Sequence, residues 1–84
     1  METQTKSPFF FTYGTDDNIM PFVGGWSVIY AETRNEAINK HHKKHGFTKD
    51  GFGRYAGDYD EEEFKKTNMR NNGNLGGFLQ ELIF

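Results

Sequence analysis

Tyr59-Asp60-Glu61-Glu62-Glu63-Phe64-Lys65-Lys66-Thr67 begins the stretch that decides the fold. It runs on through Asn68-Met69-Arg70-Asn71-Asn72-Gly73-Asn74 and Gly76-Gly77 to Phe78-Leu79-Gln80-Glu81-Leu82-Ile83-Phe84. Asp60 suits an N-cap, because its carboxylate can accept from the free amides of a first helical turn. Glu63, three residues later, can reach back to the Asp60 amide and complete a capping box. Tyr59 and Phe64 fall at the two positions of a hydrophobic staple. The acids meet the positive end of the helix dipole, and Lys65, Lys66 and Arg70 follow toward its negative end. This spacing predicts a helix that stops near Asn71-Asn72, with Gly73 or Asn74 in a left-handed cap. Phe78 to Phe84 then reads as a closing strand. Phe78, Gln80, Leu82 and Phe84 share one face of it, and Leu79, Glu81 and Ile83 share the other.

The preceding residues supply the remaining elements. Pro8 can open an edge strand because it has no amide to donate. Phe9-Phe10-Phe11-Thr12-Tyr13 is a strand by its aromatic and β-branched content, and it carries Phe on both faces. Thr15 to Gly25 is a long polar loop. Trp26-Ser27-Val28-Ile29-Tyr30-Ala31 is a second strand. Thr33-Arg34-Asn35-Glu36 has the spacing of a capping box. Ala37, Ile38, His41, His42 and His45 recur at helical spacing on the inward side, and Gly46 is the expected stop. Arg54 to Tyr59 reads as a short third strand weakened by Gly57. The order β-β-α-β-α-β predicts a small α+β fold: a four-stranded, largely antiparallel sheet with two helices on one face. Residues 1–7 read as a flexible tail and 8–84 as a single domain. Two short helices on one face leave apolar area on the other, for a partner, a second copy in a homodimer, or the long loop to cover.

Composition narrows the function classes. Eighty-four residues make one small domain. The chain has no cysteine, which removes disulfide frameworks and thiolate chemistry and fits a reducing compartment. A net charge of -2 argues against general nucleic-acid binding, which calls for a basic surface. The polar first seven residues lack the apolar core of a signal peptide, and no run is long enough to cross a bilayer. The expectation is a cytoplasmic protein without a membrane partner. Nine Phe, four Tyr and one Trp let so short a chain build core volume from large rings.

No catalytic signature is present. Lys40-His41-His42-Lys43-Lys44-His45 is the densest charge cluster. His41 and His45 are one turn apart and could supply two metal ligands, but zinc needs a third, and no Cys or HExxH pattern provides it. Arg34, Lys40, Lys43 and Lys44 could form a ridge for phosphates, or could simply offset the helix C-terminus. Gly24-Gly25 precedes a strand, without a following Lys-Ser or Lys-Thr, and so is not a phosphate loop. Asp16 and Asp17 read as turn residues. No serine is convincingly paired with a histidine for nucleophilic catalysis. The expected partner contacts are Trp26, Arg54 and Tyr55 as anchors, with Tyr59 and the acidic strip of Asp58, Asp60, Glu61, Glu62 and Glu63. No cofactor or metal is expected.

The chain resembles a family of short proteins encoded by phages and mobile elements of Gram-positive bacteria. The resemblance lies in Phe11-Thr12-Tyr13-Gly14-Thr15-Asp16, Pro21-Phe22, Gly24-Gly25-Trp26 and Ala31. It continues in Glu61 to Thr67, Asn72-Gly73-Asn74, Gly76 and Glu81-Leu82-Ile83, and it lapses between Lys40 and Tyr55. It implies a protein that acts on host machinery, such as an inhibitor of bacterial defence of the anti-CRISPR kind. The leading expectation is therefore a non-enzymatic inhibitor that binds a CRISPR effector or other host defence protein and blocks it sterically, with nucleic acid involved only indirectly. The alternatives are an oligomeric module for a nucleotide signal and a small nucleic-acid-binding regulator.

Overall fold

A computed structural model describes residues 6–84. The expected tail reaches these residues only at Lys6 and Ser7; residues 1–5 lie outside the described residues. Ser7 already belongs to the first strand. The elements are β1 (Ser7–Thr12), β2 (Trp26–Ala31), α1 (Arg34–His45), β3 (Gly57–Tyr59), α2 (Glu61–Thr67), α3 (Met69–Asn72) and β4 (Leu79–Ile83). They form the α+β fold that the pattern predicts, with one four-stranded sheet in the order β3-β1-β2-β4. β1 runs antiparallel to β2 and β3, while β4 runs parallel to β2.

The helices do not share a face. α1 packs on the side formed by Phe9, Phe11, Ile29 and Ala31, through Ala37 and Ile38. α2 packs on the other side, where Phe64 meets Phe10, Trp26 and Val28. The reason is topological. β2, β3 and β4 all run the same way, so α1 and α2 each belong to a crossover between like-directed strands. One crossover travels from β2 to β3; the next returns across the whole sheet to β4. Two crossovers of the same hand that travel in opposite directions place their helices on opposite faces. The sheet core is thereby buried twice. Phe9 and Phe11 serve one layer, while Phe10 stacks on Phe64 in the other, with ring centroids 4.0 Å apart and planes 4° from parallel.

Both helix starts match the sequence. Thr33 accepts from the Glu36 amide. Asp60 and Glu63 form the reciprocal capping box, and the Tyr59 and Phe64 rings lie 6.2 Å apart. The second helix differs from expectation in its end. It stops at Thr67, Asn68 turns left-handed at φ 60°, and α3 follows as a separate turn. The Thr67 hydroxyl donates to the Phe64 carbonyl and accepts from the Met69 amide, so a side chain takes over backbone bonds that a continuing helix would use. The third strand is also shorter than expected, because only Gly57–Tyr59 pairs with β1.

A tight knot fixes β4. The Gly25 amide donates to the Asn74 carbonyl at 2.8 Å. The Asn74 side-chain amide donates to the carbonyls of Tyr13 and Gly25, each at 2.9 Å. Gly25 has φ 70°, and a Cβ there would collide with the Phe78 carbonyl; a Cβ at Gly77 would lie 2.6 Å from the Gly25 nitrogen. These two glycines let the backbones approach closely enough for β4 to join β2. A register shift between Trp26 and Ser27 then leaves Gln80 without an opposite residue, so Leu79 pairs with Trp26 and Glu81 with Ser27. This bulge puts Leu79 on the same side as Leu82, correcting the simple alternation read from the sequence.

Candidate docking site

The α2 side of the sheet is only half covered. α2 lies over β1 and β3, leaving the β2–β4 half of that face without a helix. A groove of about 350 Å³ results, with Trp26, Val28 and Tyr30 in its floor and Leu79 and Leu82 in its wall. Glu61 and Arg70 stand at its α2–α3 side. The Arg70 guanidinium sits 5.3 Å from the Phe10 ring centroid and 5.9 Å from that of Phe64, positions that favour cation–π attraction. Phe84 is 77% exposed and stacks on Tyr30 at 5.2 Å. Phe78 meets Trp26 edge-on at 6.0 Å. Five of the nine exposed large hydrophobics among the described residues belong to this edge: Leu75, Phe78, Leu79, Leu82 and Phe84. Apolar side chains concentrated so narrowly mark a contact surface.

The other side of β4 is polar and clamped. Glu81 accepts from Ser27 at 2.8 Å and from His45 at 2.6 Å, and its second oxygen pairs with Lys44 at 2.9 Å. The Tyr13 hydroxyl lies 2.6 Å from the Ser27 hydroxyl and 2.9 Å from His41 Nε2. The proton order follows by elimination. Ser27 spends its hydrogen on the carboxylate, so Tyr13 donates to Ser27, and His41 Nε2–H donates to Tyr13. His41 is thus the Nε2–H tautomer, and its Nδ1 lone pair is one of two buried side-chain atoms, with His42 Nε2, left without a partner among the described residues. Burial, the neighbouring His45 and His42 lower the His41 pKa to about 4, against a smaller opposing pull from Glu81. Burial pushes the Tyr13 phenol well above its ordinary value. Burial also disfavours the Glu81 carboxylate, but bonds from His45, Lys44 and Ser27 outweigh this and hold its pKa below the usual value. Ser27 and His41 are fully buried, so no substrate reaches the hydroxyl, and the network serves to hold β4 against α1.

The residues picked out in the sequence do not form one site. Trp26 is in the groove, whereas Tyr55 packs on Phe11 and His41 on the α1 side. Asp58 is paired opposite Phe11 in the β1–β3 register and so lies on the α1 side too; burial, and then the Asp58 carboxylate, raise the Tyr55 pKa. Arg54 donates to the Ile19 carbonyl at 2.9 Å and lines a separate cleft of about 470 Å³ with Lys49 and Phe52. Tyr59 belongs to the α2-side core. Within the acidic strip, Asp60 and Glu63 are occupied by their capping box and by Arg34. Glu61 borders the groove, and Glu62, the next residue on α2, is exposed and lies 3.9 Å from Lys65. Of the supposed phosphate ridge, Lys40 pairs with Glu36 and donates to the Tyr30 carbonyl, and Lys44 is committed to Glu81. Lys43 is exposed and has no ion pair among the described residues. The His41 and His45 rings are 4.7 Å apart, and among the described residues no group of three or more His, Asp or Glu is placed to hold a metal ion.

Sequence reasoning missed the role of Ser27 and Glu81, and it missed Leu79, Leu82 and Phe84 as one wall. The apolar character of the last seven residues was the available signal; the bulge that aligns them was not. Among the described residues, no helix is long and apolar enough to cross a membrane. Comparisons with family models, with curated proteins and with solved structures find no match.

Proposed function

We propose that this chain is a non-enzymatic inhibitor that docks on a partner protein through the half-covered α2 side of its sheet. The observation that carries this reading is the groove itself: aromatic floor, leucine wall, and an exposed acid, Glu61, beside Arg70 at its helical rim. Large rings and aliphatics in a concave patch supply desolvated contact area, while Glu61 and Glu62 steer a basic partner surface toward it. The resemblance to phage-encoded proteins directs the reading to a bacterial defence protein in the host cytoplasm, with a CRISPR effector foremost. Inhibition would then be steric, by occupation of a nucleic-acid channel or of a hinge.

The test is capture of the target from a host expressing its defence systems, followed by the double variant Glu61→Lys/Glu62→Lys. Neither side chain caps α2, so the fold should be kept. Reversing the Glu61 rim charge and its exposed neighbour on α2 should slow association about tenfold or more at low salt, with the difference shrinking as salt rises. Unchanged capture and inhibition by the double variant would sink the acidic-rim mechanism.

The cleft beside Arg54 favours a second reading, a nucleotide-signal module, since Lys49 and Arg54 flank an exposed Phe52 ring. Nucleotide released on denaturation, seen as absorbance at 260 nm, would support it.

A further inference from the structure

The cleft beside Arg54 has two walls, each held by its own hydrogen bonds. In the loop before β2, the amides of Ile19 and Met20 donate to the Asp16 carbonyl at 3.2 and 3.0 Å. In the hairpin after α1, the Thr48 amide donates to the Phe52 carbonyl at 2.8 Å, and the Thr48 hydroxyl accepts from the Phe52 amide at 3.1 Å. Gly53 seats this hairpin on the core: a Cβ there would lie 2.5 Å from the Tyr55 ring and 2.9 Å from His42 Nε2. Arg54 ties the walls together through the Ile19 carbonyl. That bond uses one of five guanidinium N–H donors and leaves the charge and the other donors free for a ligand. Lys49, Asp50 and Arg54 line the same cleft, yet none of them forms an ion pair among the described residues. Phe52, 71% exposed, adds an open ring beside them.

We infer that this cleft holds one nucleoside monophosphate within a single chain, with its phosphate on Arg54 and Lys49, its base on Phe52 and its sugar hydroxyls toward Asp50. The inference rests on the nucleotide reading above and narrows it to a mononucleotide and to one chain. The cleft volume of about 470 Å³ is that of a small-ligand site. A guanidinium already fixed at one end meets a phosphate as a fork, and Lys49 adds a point charge. An exposed ring takes any base by stacking. An ionised Asp50 is an acceptor only, so it suits hydroxyl donors and repels a second phosphate. Asp16 and Asp17 lie in the turn that carries Ile19, and the chain is net negative, which opposes a nucleic-acid strand running on from the site. Every one of these groups comes from the same chain, so the site is complete without a second copy.

The experiment is titration calorimetry of the full chain with AMP, GMP, CMP and UMP, each beside its free nucleoside and inorganic phosphate. The expected result is that at least one monophosphate binds, one per chain, about tenfold or more tightly than either fragment. Phe52→Ala and Lys49→Gln change exposed side chains, so the fold should be kept, and each should weaken binding about tenfold. Asp50→Ala should remove the preference for the ribose over the 2′-deoxyribose form. Phe84→Ala, an equally exposed ring at the far end of β4, should leave binding unchanged. The inference is overturned if none of the four binds, if inorganic phosphate binds as well as they do, or if neither Phe52→Ala nor Lys49→Gln weakens the complex. Nucleotide that co-purifies with the chain while none of the four binds would overturn this inference and leave the broader nucleotide reading standing. Absence of nucleotide in both measurements would end both.

Discussion

His41 shows how one residue can hold several elements. It is fully buried on α1, reaches Tyr13 at the end of β1, and through Ser27 connects to Glu81 on β4. The helical spacing made its inward direction legible. Its partners were not legible, because they lie 28 residues away at Tyr13 and then a further 54 beyond Ser27 at Glu81. The pH consequence is signed. The folded pKa of about 4 lies below the ordinary 6.5, so between these values the unfolded chain binds more protons than the native one. Stability therefore falls as pH drops through that window, by roughly 3 kcal/mol for a shift of this size. Glu81 acts in the same direction at lower pH: its depressed pKa gives stability above the unfolded carboxylate value that is lost as pH falls through the folded one. Urea unfolding followed from pH 7 to pH 4 should show this slope. His41→Gln should be less stable at neutral pH and show a much flatter profile. A wild-type chain equally stable across the window would contradict a buried neutral His41.

At the scale of elements, local chemistry was readable and long-range pairing was not. Caps are written within four residues, which is why Thr33, Asp60 and Gly46 fall where expected. The break at Thr67–Asn68 was hidden because nothing in residue type alone says that a threonine hydroxyl will replace helical bonds. The turn that leads to β4 contains a less obvious cost. Leu75 has φ 52°, a left-handed conformation that a leucine reaches only at roughly 1 kcal/mol or more. Its side chain is largely exposed, so little packing offsets this. Leu75→Asn should relieve the strain, since asparagine tolerates that conformation, and should raise stability by about 1 kcal/mol in thermal melts. An unchanged or lower melting temperature would mean that the leucine side chain contributes packing against Gly24 that outweighs its backbone cost.

For the whole molecule, the decisive feature was a strand with Phe on both sides. Phe9-Phe10-Phe11 signals burial on two faces, as for a central strand with helices above and below. Strand order, absent from local pattern, is what turned the two crossovers to opposite faces. The same arrangement ranks the parts by stability. β1 is central and covered on both sides, and β2 is central, covered by α1 on one side and in part by Phe64 on the other; β3 has three residues, α3 is a single turn with no buried side chain, and β4 packs only Ile83 on the α1-side core. Local opening follows the burial that each segment would lose. Native-state hydrogen exchange at low protein concentration should therefore find its slowest amides at Phe9–Phe11 and Val28–Ile29, with opening free energies close to the global value. β3 and α3 should exchange first, through openings that leave the central pair intact, and β4 should fall between. If β4 exchanged as slowly as β2 in the monomer, the Glu81 clamp would already make it part of the central unit. An edge so firmly fixed would present its apolar wall as a rigid template, whereas an intermediate rate makes ordering of β4 part of the free energy of docking.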